Sequence, residues 1–499
     1  MRSVVVVAGI VAALLAVRCE ASGFFDADQD AVRADVEYLI NAGVLHIPVS
    51  TWPMPVDEVH DAVATVDEAA LSSGESSALS RLKLVLDRYD TPDDDAVSAA
   101  VSVHPTRFRQ NEPLPREDAS IGITGGRDYG RFTVHLAASA NSRGPKDTVP
   151  VDRQRFRIDG SYASMQTGNW IWSVGEMARS WGPSQHDSLI LSTNARPIPS
   201  VGLDRLSSRA PQTRWLRWVG PWRLSGFLGS LEHDRDDVRD PLFVGARFTF
   251  KPLRNLEVGL TRTSQVCGRG RQCNLKTFKN WLFGNTNTGT SAGITPATDP
   301  GNDMAGFDLR WTSPVGHLPY AIYAQMIGED QQGGVPFKYL GQFGLDTWKG
   351  FDSGSVLHLN LEYSNTTCSF TRKEPIYNCA YTHYIFNKDG YRYKDRIIGS
   401  SWEADAEVSS LNVRWVQRSG NEWQLHARHG RLNKGPYTNI YNVVAPTPRD
   451  LSGIDIEYRF TSTEWGDFRT GLGLDRLKDT AAGRTTDIGR WYLMWRHRI

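Results

Sequence analysis

The chain has 499 residues, with 56 basic and 56 acidic side chains, a formal net charge of +0 and a mean hydropathy of −0.40. That balance excludes a basic nucleic-acid binder and gives no reason to expect a strongly acidic partner. After Val17 no window approaches the roughly 18 consecutive apolar residues of a transmembrane helix, but a transmembrane barrel shows lipid only every second residue and looks soluble on average.

The chain opens with Met1-Arg2 and an apolar stretch over residues 4–17, too short to span a bilayer, followed by Cys19-Glu20-Ala21. A basic start, a short apolar run and small residues at −3 and −1 predict a signal peptide over residues 1–21. Arg18 stands where a lipobox needs a small residue, so a lipid anchor on Cys19 is the lesser expectation. Residues 22–95 are expected to form a small helical domain. Val32, Val36, Leu39 and Ile40 share one helical face, with Gly43 just past its end. Val56, Val59, Val63 and Val66 form a second stripe, entered through Pro53 and Pro55. Leu79, Leu82, Leu86 and Tyr89 form a third, opened by a Ser72-x-x-Glu75 capping box. So small a bundle has to lean on a neighbour. Asp90-Thr-Pro-Asp-Asp-Asp95 reads as a linker.

Beyond it, over residues 96–499, the period changes to two. Val244, Ala246, Phe248 and Phe250 alternate with Gly245, Arg247 and Thr249. Leu357, Leu359 and Leu361 alternate with His358, Asn360 and Glu362, and Ile454, Ile456 and Tyr458 with Asp455, Glu457 and Arg459. A soluble sandwich would alternate too. Three features favour a membrane barrel: strongly charged polar faces such as Asp308 with Arg310, aromatics near strand ends (Trp215, Trp218, Trp222, Trp491, Tyr492, Trp495), and connections of very unequal length. Residues 125–130 are expected to be a tight turn, while Cys267 to Asp303 and Cys368 to Trp402 are expected to be long loops. The expected fold is therefore mainly β: about 395 residues at roughly 22 per strand and connection give an antiparallel transmembrane barrel of about 18 strands. Its lumen would be wider than side chains can fill, so something must occupy it or pass through it.

Four cysteines remain after cleavage, and an even count in an exported chain favours disulfides, most simply Cys267 with Cys273 and Cys368 with Cys379. Their spacing lacks the Cys-x2-Cys of a zinc site. Asp26-x-Asp28-x-Asp30 with Glu37 has a calcium-loop outline, but Ala31 stands where the loop needs glycine, and capping of the first helix explains the same residues. No nucleophile elbow, zinc-protease motif or phosphate loop occurs. Glu176, Glu329, Asp330 and Glu403 could be recruited for glycosidic acid–base work, but pairing with arginines is the simpler expectation. No enzyme activity, metal or cofactor is predicted. Carbohydrate binding needs aromatic faces beside polar and cationic groups. Trp281, Trp348, Trp402 and Tyr391, expected in the long loops beside Arg269, Arg271, Lys394 and Arg396, are the candidate polysaccharide-binding residues.

A series of segments also resembles the Wzi family of capsule assembly outer-membrane proteins. They begin with Gly43-Val-Leu-His-Ile-Pro-Val-Ser-Thr-Trp-Pro-Met54, and continue with Trp181-Gly-Pro183, Asn194-Ala-Arg-Pro197 and Trp215-Leu-Arg-Trp-Val-Gly-Pro-Trp222. Gly245-Ala-Arg-Phe-Thr-Phe250, Asp299-Pro-Gly-Asn302, Tyr323-Ala-Gln-Met-Ile-Gly-Glu-Asp330, Tyr381-Thr-His-Tyr384 and Lys388-Asp-Gly-Tyr391 follow in order, over nearly the whole chain. The resemblance implies a large barrel in the Gram-negative outer membrane, with a helical bundle under its periplasmic mouth and long loops outside. It implies lectin-like, non-catalytic attachment of exported capsular polysaccharide, with outer-membrane lipid around the barrel and contact with the export machinery as further expectations. The two cysteine pairs depart from the family pattern, as does the final Ile499 in place of a terminal aromatic. The alternative is a channel for small solutes or oligosaccharides.

Overall fold

The computed structural model describes residues 23–89, 95–142, 154–284, 294–295, 298–313, 319–332, 335–436, 438–439 and 441–499. The expected leader lies outside the described residues, as does most of the expected linker.

Alternating sequence becomes a closed wall. Its strands are β1 (Ala96–Val103), β2 (Ala119–Tyr129), β3 (Phe132–Asn141), β4 (Phe156–Arg157 with Tyr162–Thr167), β5 (Trp170–Glu176) and β6 (Pro199–Arg205). There follow β7 (Trp222–Ser230), β8 (Leu242–Leu253), β9 (Leu256–Val266), β10 (Gly301–Thr312), β11 (Tyr320–Gln332) and β12 (Val335–Gly350). The last six are β13 (Val356–Asn365), β14 (Glu407–Val416), β15 (Glu422–Leu432), β16 (Arg449–Ser462), β17 (Gly466–Asp479) and β18 (Thr485–Arg498). The two pieces of β4 share one place beside β3, so the barrel has 18 strands, each antiparallel to its neighbours. β18 closes on β1, from Trp491 opposite Val103 to Arg498 opposite Ala96. Closure removes both sheet edges and satisfies the ladder groups that lipid cannot.

Connections at the Arg498 end are tight, as at residues 130–131, 168–169 and 254–255, whereas the opposite end carries residues 104–118, 177–198, 267–300, 366–406 and 433–448. The turn expected over residues 125–130 is confined to the end of that span and falls at Gly130-Arg131. β2 continues to Tyr129, with Gly125 opposite Leu136 and Gly126 opposite His135. Gly125 serves a close approach instead, since a Cβ would lie 2.3 Å from the Asp95 carboxylate.

The period-two code separates lipid from lumen. Ile121, Leu136, Val174, Leu260, Ile454, Ile456 and Leu472 are exposed on the outer face. The inner face carries ion-pair ladders: Arg428 meets Asp455 at 2.6 Å and Asp475 at 2.5 Å, and Arg490 meets Asp455 at 2.6 Å. Such pairs tolerate burial because each charge has several opposite neighbours. Tyr492, expected among rim aromatics, has the inward parity of Arg490 and is buried.

The N-terminal stripes form α1 (Asp30–Asn41), α2 (Val56–Val63) and α3 (Ser73–Tyr89). Gly43 takes a φ of +80°, and the Ser72 amide donates to Glu75 at 2.7 Å. Val36, Leu39, Val59, Leu79, Leu82 and Leu86 build a core that continues into Trp348, Ala321 and Val356 of the wall. The bundle therefore has the barrel as its missing half.

Polar contacts seat it in the mouth. Arg223 of β7 donates to the carbonyls of Thr51 and Pro53 at 2.8 and 3.2 Å and lies 3.2 Å from Glu58. Glu257 of β9 accepts from the amides of Val49 and Ser50, both at 2.9 Å. Asp30 is held by Arg469 at 2.9 Å and Arg414 at 3.2 Å, and Glu37 by Arg33 at 2.9 Å. Those arginines occupy two carboxylates of the calcium-loop outline, Asp30 and Glu37.

Candidate functional site

The loops of the open end turn inward and meet the helical part inside the barrel. Ser180–Trp181 pairs antiparallel with Thr51–Trp52, and the Gly182 amide donates to the Ser50 carbonyl at 3.0 Å. Residues 177–198 are then clasped by residues 366–406. Tyr381 and Tyr391 donate their hydroxyls to the carbonyls of Leu189 and Ile190, both at 2.8 Å, and Asn194 donates to Ile397 at 3.0 Å. From the other side Arg116 donates to the carbonyls of Asn194, Thr193 and Ala195 at 2.7 to 3.0 Å. Trp181, Leu189, Ile190, Tyr381, Tyr391 and Ile398 make one buried cluster. The lumen is filled from both ends. A cavity of about 450 Å³ remains between the helices and the wall, lined by Asp26, Asp28, Asp30, Arg459, Arg469 and Arg498 among others.

Asp187 is part of this clasp, accepting from the Ser400 hydroxyl at 2.6 Å and the Ser401 amide at 3.3 Å. Burial pushes its carboxyl up to about 8. A folded-state value above the unfolded carboxylate value of about 3.9 gives stability that is present below that lower value and is lost as pH rises through the upper one. The heat-unfolding transition of the purified barrel is therefore expected to fall between pH 5 and pH 9, and Asp187→Asn to flatten that fall. An unchanged slope in the variant would remove Asp187 as its source.

Glu112, His186 and His426 also converge, with ligand-type atoms within 4.8 Å of one another. They do not fit a metal centre. The two ring nitrogens of His426 face Asn412 Oδ1 at 2.7 Å and Gln424 Oε1 at 3.0 Å, and the ring donates to one of these amide oxygens. Gln424 in turn donates to Glu422, and Asn412 to Asn360, which donates to Asp346 at 2.6 Å, so both amides are held in those orientations. Glu112 is already paired with Arg469 at 2.9 Å.

The candidate polysaccharide-binding residues fall into three groups. Trp348 is not in a loop: it lies on β12 near the helical end and is 8% exposed in the helical core. Its strand-period neighbours mark it as wall, and the loop expected there is in fact the end of a long strand. Tyr391 and Trp402 do lie in residues 366–406 but are 1% and 2% exposed, so their faces are spent on packing. Arg396 is turned inward and donates to the Arg107 carbonyl at 3.1 Å.

Arg269, Arg271, Trp281 and Lys394 lie at the loop surface or just beneath it. Arg269 pairs with Asp240 at 3.1 Å, and His233 approaches the same carboxylate at 2.8 Å. Lys394 sits at the tip of a small hairpin, Arg392–Tyr393 with Arg396–Ile397, whose turn residues Lys394 and Asp395 have φ of 50° and 65°. Its ammonium is 3.9 Å from Asp234. Residues 231–241 thus bridge Arg269 and Lys394 into one patch. Trp281, on α4 (Leu275–Leu282), donates to Ser264 at 2.6 Å and lies under the Arg262 guanidinium. Arg271 is engaged by the Asp299 carbonyl. Sequence reasoning missed Tyr384, which is exposed, donates to Asp299 at 2.6 Å and has the His383 ring 4.4 Å away. It also missed His233. Tyr384 stood inside a segment singled out for its resemblance, but periodicity does not report on loops. The cysteine pairs are bonded as expected, Cys267 to Cys273 and Cys368 to Cys379, and tie down the bases of these loops.

A family model described as "Capsule assembly protein Wzi" matches residues 89–486. The chain belongs to the Wzi family. A Klebsiella pneumoniae relative, described as an uncharacterized 55.8 kDa protein in the cps region, is 28% identical over 447 residues, which is 89% of this chain and 83% of the relative. The solved structure of Escherichia coli Wzi superposes with a TM-score of 0.82 at 25% identity, covering 96% of this chain and 99% of that one. It is described as an outer-membrane protein involved in group 1 capsule assembly and as a carbohydrate-binding β-barrel. As a Wzi-family barrel the chain is an outer-membrane protein, and the patch around Arg269 and Lys394 is its candidate site.

Proposed function

We propose that this protein holds exported capsular polysaccharide at the cell surface, through its loop end and without chemical change to the polymer. In this reading the helical end is periplasmic and the loop end extracellular. The observation that carries it is the double closure of the lumen, by α1–α3 from one side and by residues 177–198 and 366–406 from the other. A barrel filled in this way offers a binding surface more readily than a passage, which disfavours the channel alternative. The likeness to a carbohydrate-binding barrel of capsule assembly supports the same conclusion. Acidic sugars are the expected class, because Arg269 and His233 stand at the surface in weak, exposed pairs, with the half-buried Lys394 beside them, that a glycan carboxylate can replace.

The test compares cell-bound with shed polysaccharide in a strain lacking this gene, at equal total synthesis. Normal synthesis with release into the medium is the expected result. An unchanged partition would overturn the reading, and steady conductance of the purified protein in planar bilayers would favour a channel instead.

A further inference from the structure

The helical end of the barrel breaks its own rule at one place. Its other connections are short, but β6 and β7 are joined by residues 206–221. We infer that this connection is a binding site for anionic phospholipid, in which Arg214 and Arg217 take the headgroup phosphate while Trp215 and Trp218 enter the bilayer interface.

The connection is ordered. Asn169 grips its start, donating to the Ser207 carbonyl at 3.2 Å and accepting from the Ser207 amide at 2.9 Å. The Trp222 amide donates to the Ser208 carbonyl at 2.8 Å, which ties the two ends together. Gly220 is required where the chain rejoins the wall: its φ is +67°, and a Cβ would lie 1.9 Å from the Lys251 carbonyl oxygen. The projecting part is wound by bonds from the Leu216 amide to Thr213 and from the Val219 amide to Leu216, both at 3.0 Å.

On this fixed turn Trp215 is 82% exposed and Trp218 63%. Two indoles held out by an ordered turn would be unfavourable in water, but they suit the interface of a membrane. The turn is also in the right place. Trp218 meets Phe250 edge-on at 6.1 Å, and Phe250 alternates with the inward Arg247 and Thr249, so it belongs to the lipid-facing wall. The charge is one-sided, with no Asp or Glu anywhere from Arg205 to Leu231. Arg205 is spent over the Trp222 ring at 3.6 Å, and Arg209 on Asp61 at 2.9 Å. Arg214 and Arg217 are exposed and have no ion-pair partner among the described residues. Unpaired guanidiniums flanking interfacial indoles complement a phosphate at the membrane surface.

The test is native mass spectrometry of the full-length barrel in nonionic detergent, titrated separately with phosphatidylglycerol, phosphatidylethanolamine and inorganic phosphate. Phosphatidylglycerol is expected to bind at least tenfold more tightly than phosphatidylethanolamine, since each basic residue near an anionic surface contributes roughly fivefold. Arg214→Gln with Arg217→Gln should abolish that preference while the barrel keeps its heat-modifiable mobility. The single variants provide the same comparison if the pair fails to fold. Equal binding of the two lipids, a preference that survives both substitutions, or displacement of lipid by millimolar free phosphate would each overturn the inference.

Discussion

Arg247→Ala is expected to unseat the helical domain and destabilise the barrel by roughly 3–5 kcal/mol, the usual consequence of leaving a buried charge without its partner. The Arg247 side chain is fully buried on β8 and joins three parts of the molecule. It meets Asp308 of β10 at 2.6 Å, reaches Thr261 of β9, and donates to Ser50 Oγ at 2.7 Å and Thr51 Oγ1 at 2.9 Å in the helical part. Truncation leaves the Asp308 carboxylate inside the lumen with its strongest partner gone. The same change frees the segment that Glu257 holds from the neighbouring strand. The expected observations are an earlier heat-unfolding transition and channel openings in planar bilayers, where the parent stays closed. Replacing Arg247 by Met together with Asp308 by Leu should cost less than the single truncation, because no lone charge remains. A single variant with an unchanged transition and a silent bilayer record would show that the pair does not seat the domain.

How much of this was legible in the sequence depended on whether a regular repeat was being read. The period-two alternation of residues such as Ile454, Asp455, Ile456 and Glu457 assigned lipid and lumen faces correctly, because every second residue of a strand must face the same medium. The helical stripes and the Ser72-x-x-Glu75 box were equally readable, since capping and amphipathicity are local. Gly125 and Gly126 misled, because glycine in a strand can mark a close approach as well as a turn, and Asp95 is not its neighbour in sequence. Loop chemistry was the least readable. Tyr391 and Trp402 had the right residue types for sugar stacking, but Tyr391 is buried against residues 177–198, some two hundred positions away, and Trp402 against Phe108, farther still. The meeting of Ser180–Trp181 with Thr51–Trp52 inside the lumen left no local signal at all.

The placement of those loops also redirects the binding test. Arg269 and Arg271 are the pair that the sequence brings forward, but Arg271 serves its own loop through the Asp299 carbonyl, so its removal would mix folding with binding. Arg269→Ala with Lys394→Ala is the cleaner variant, since Arg269 pairs with Asp240 at the surface, and Lys394, which also lies over the Tyr393 ring, pairs loosely with Asp234. Exposed charges of this kind contribute little singly, so a short acidic fragment of the polymer should lose only about fivefold in affinity. A long chain spanning several copies loses that factor at each contact, and three contacts compound to roughly a hundredfold through avidity. The expected signature is therefore a divergence: modest weakening for fragments, near-complete loss of retention for intact polymer, and in the parent a steep decline of retention with added salt. Equal losses for fragment and polymer would mean that one strong site, and not many weak ones, does the holding. No loss for either would remove this patch from the binding surface and leave the Tyr384 and Asp299 side of the loops as the next place to cut.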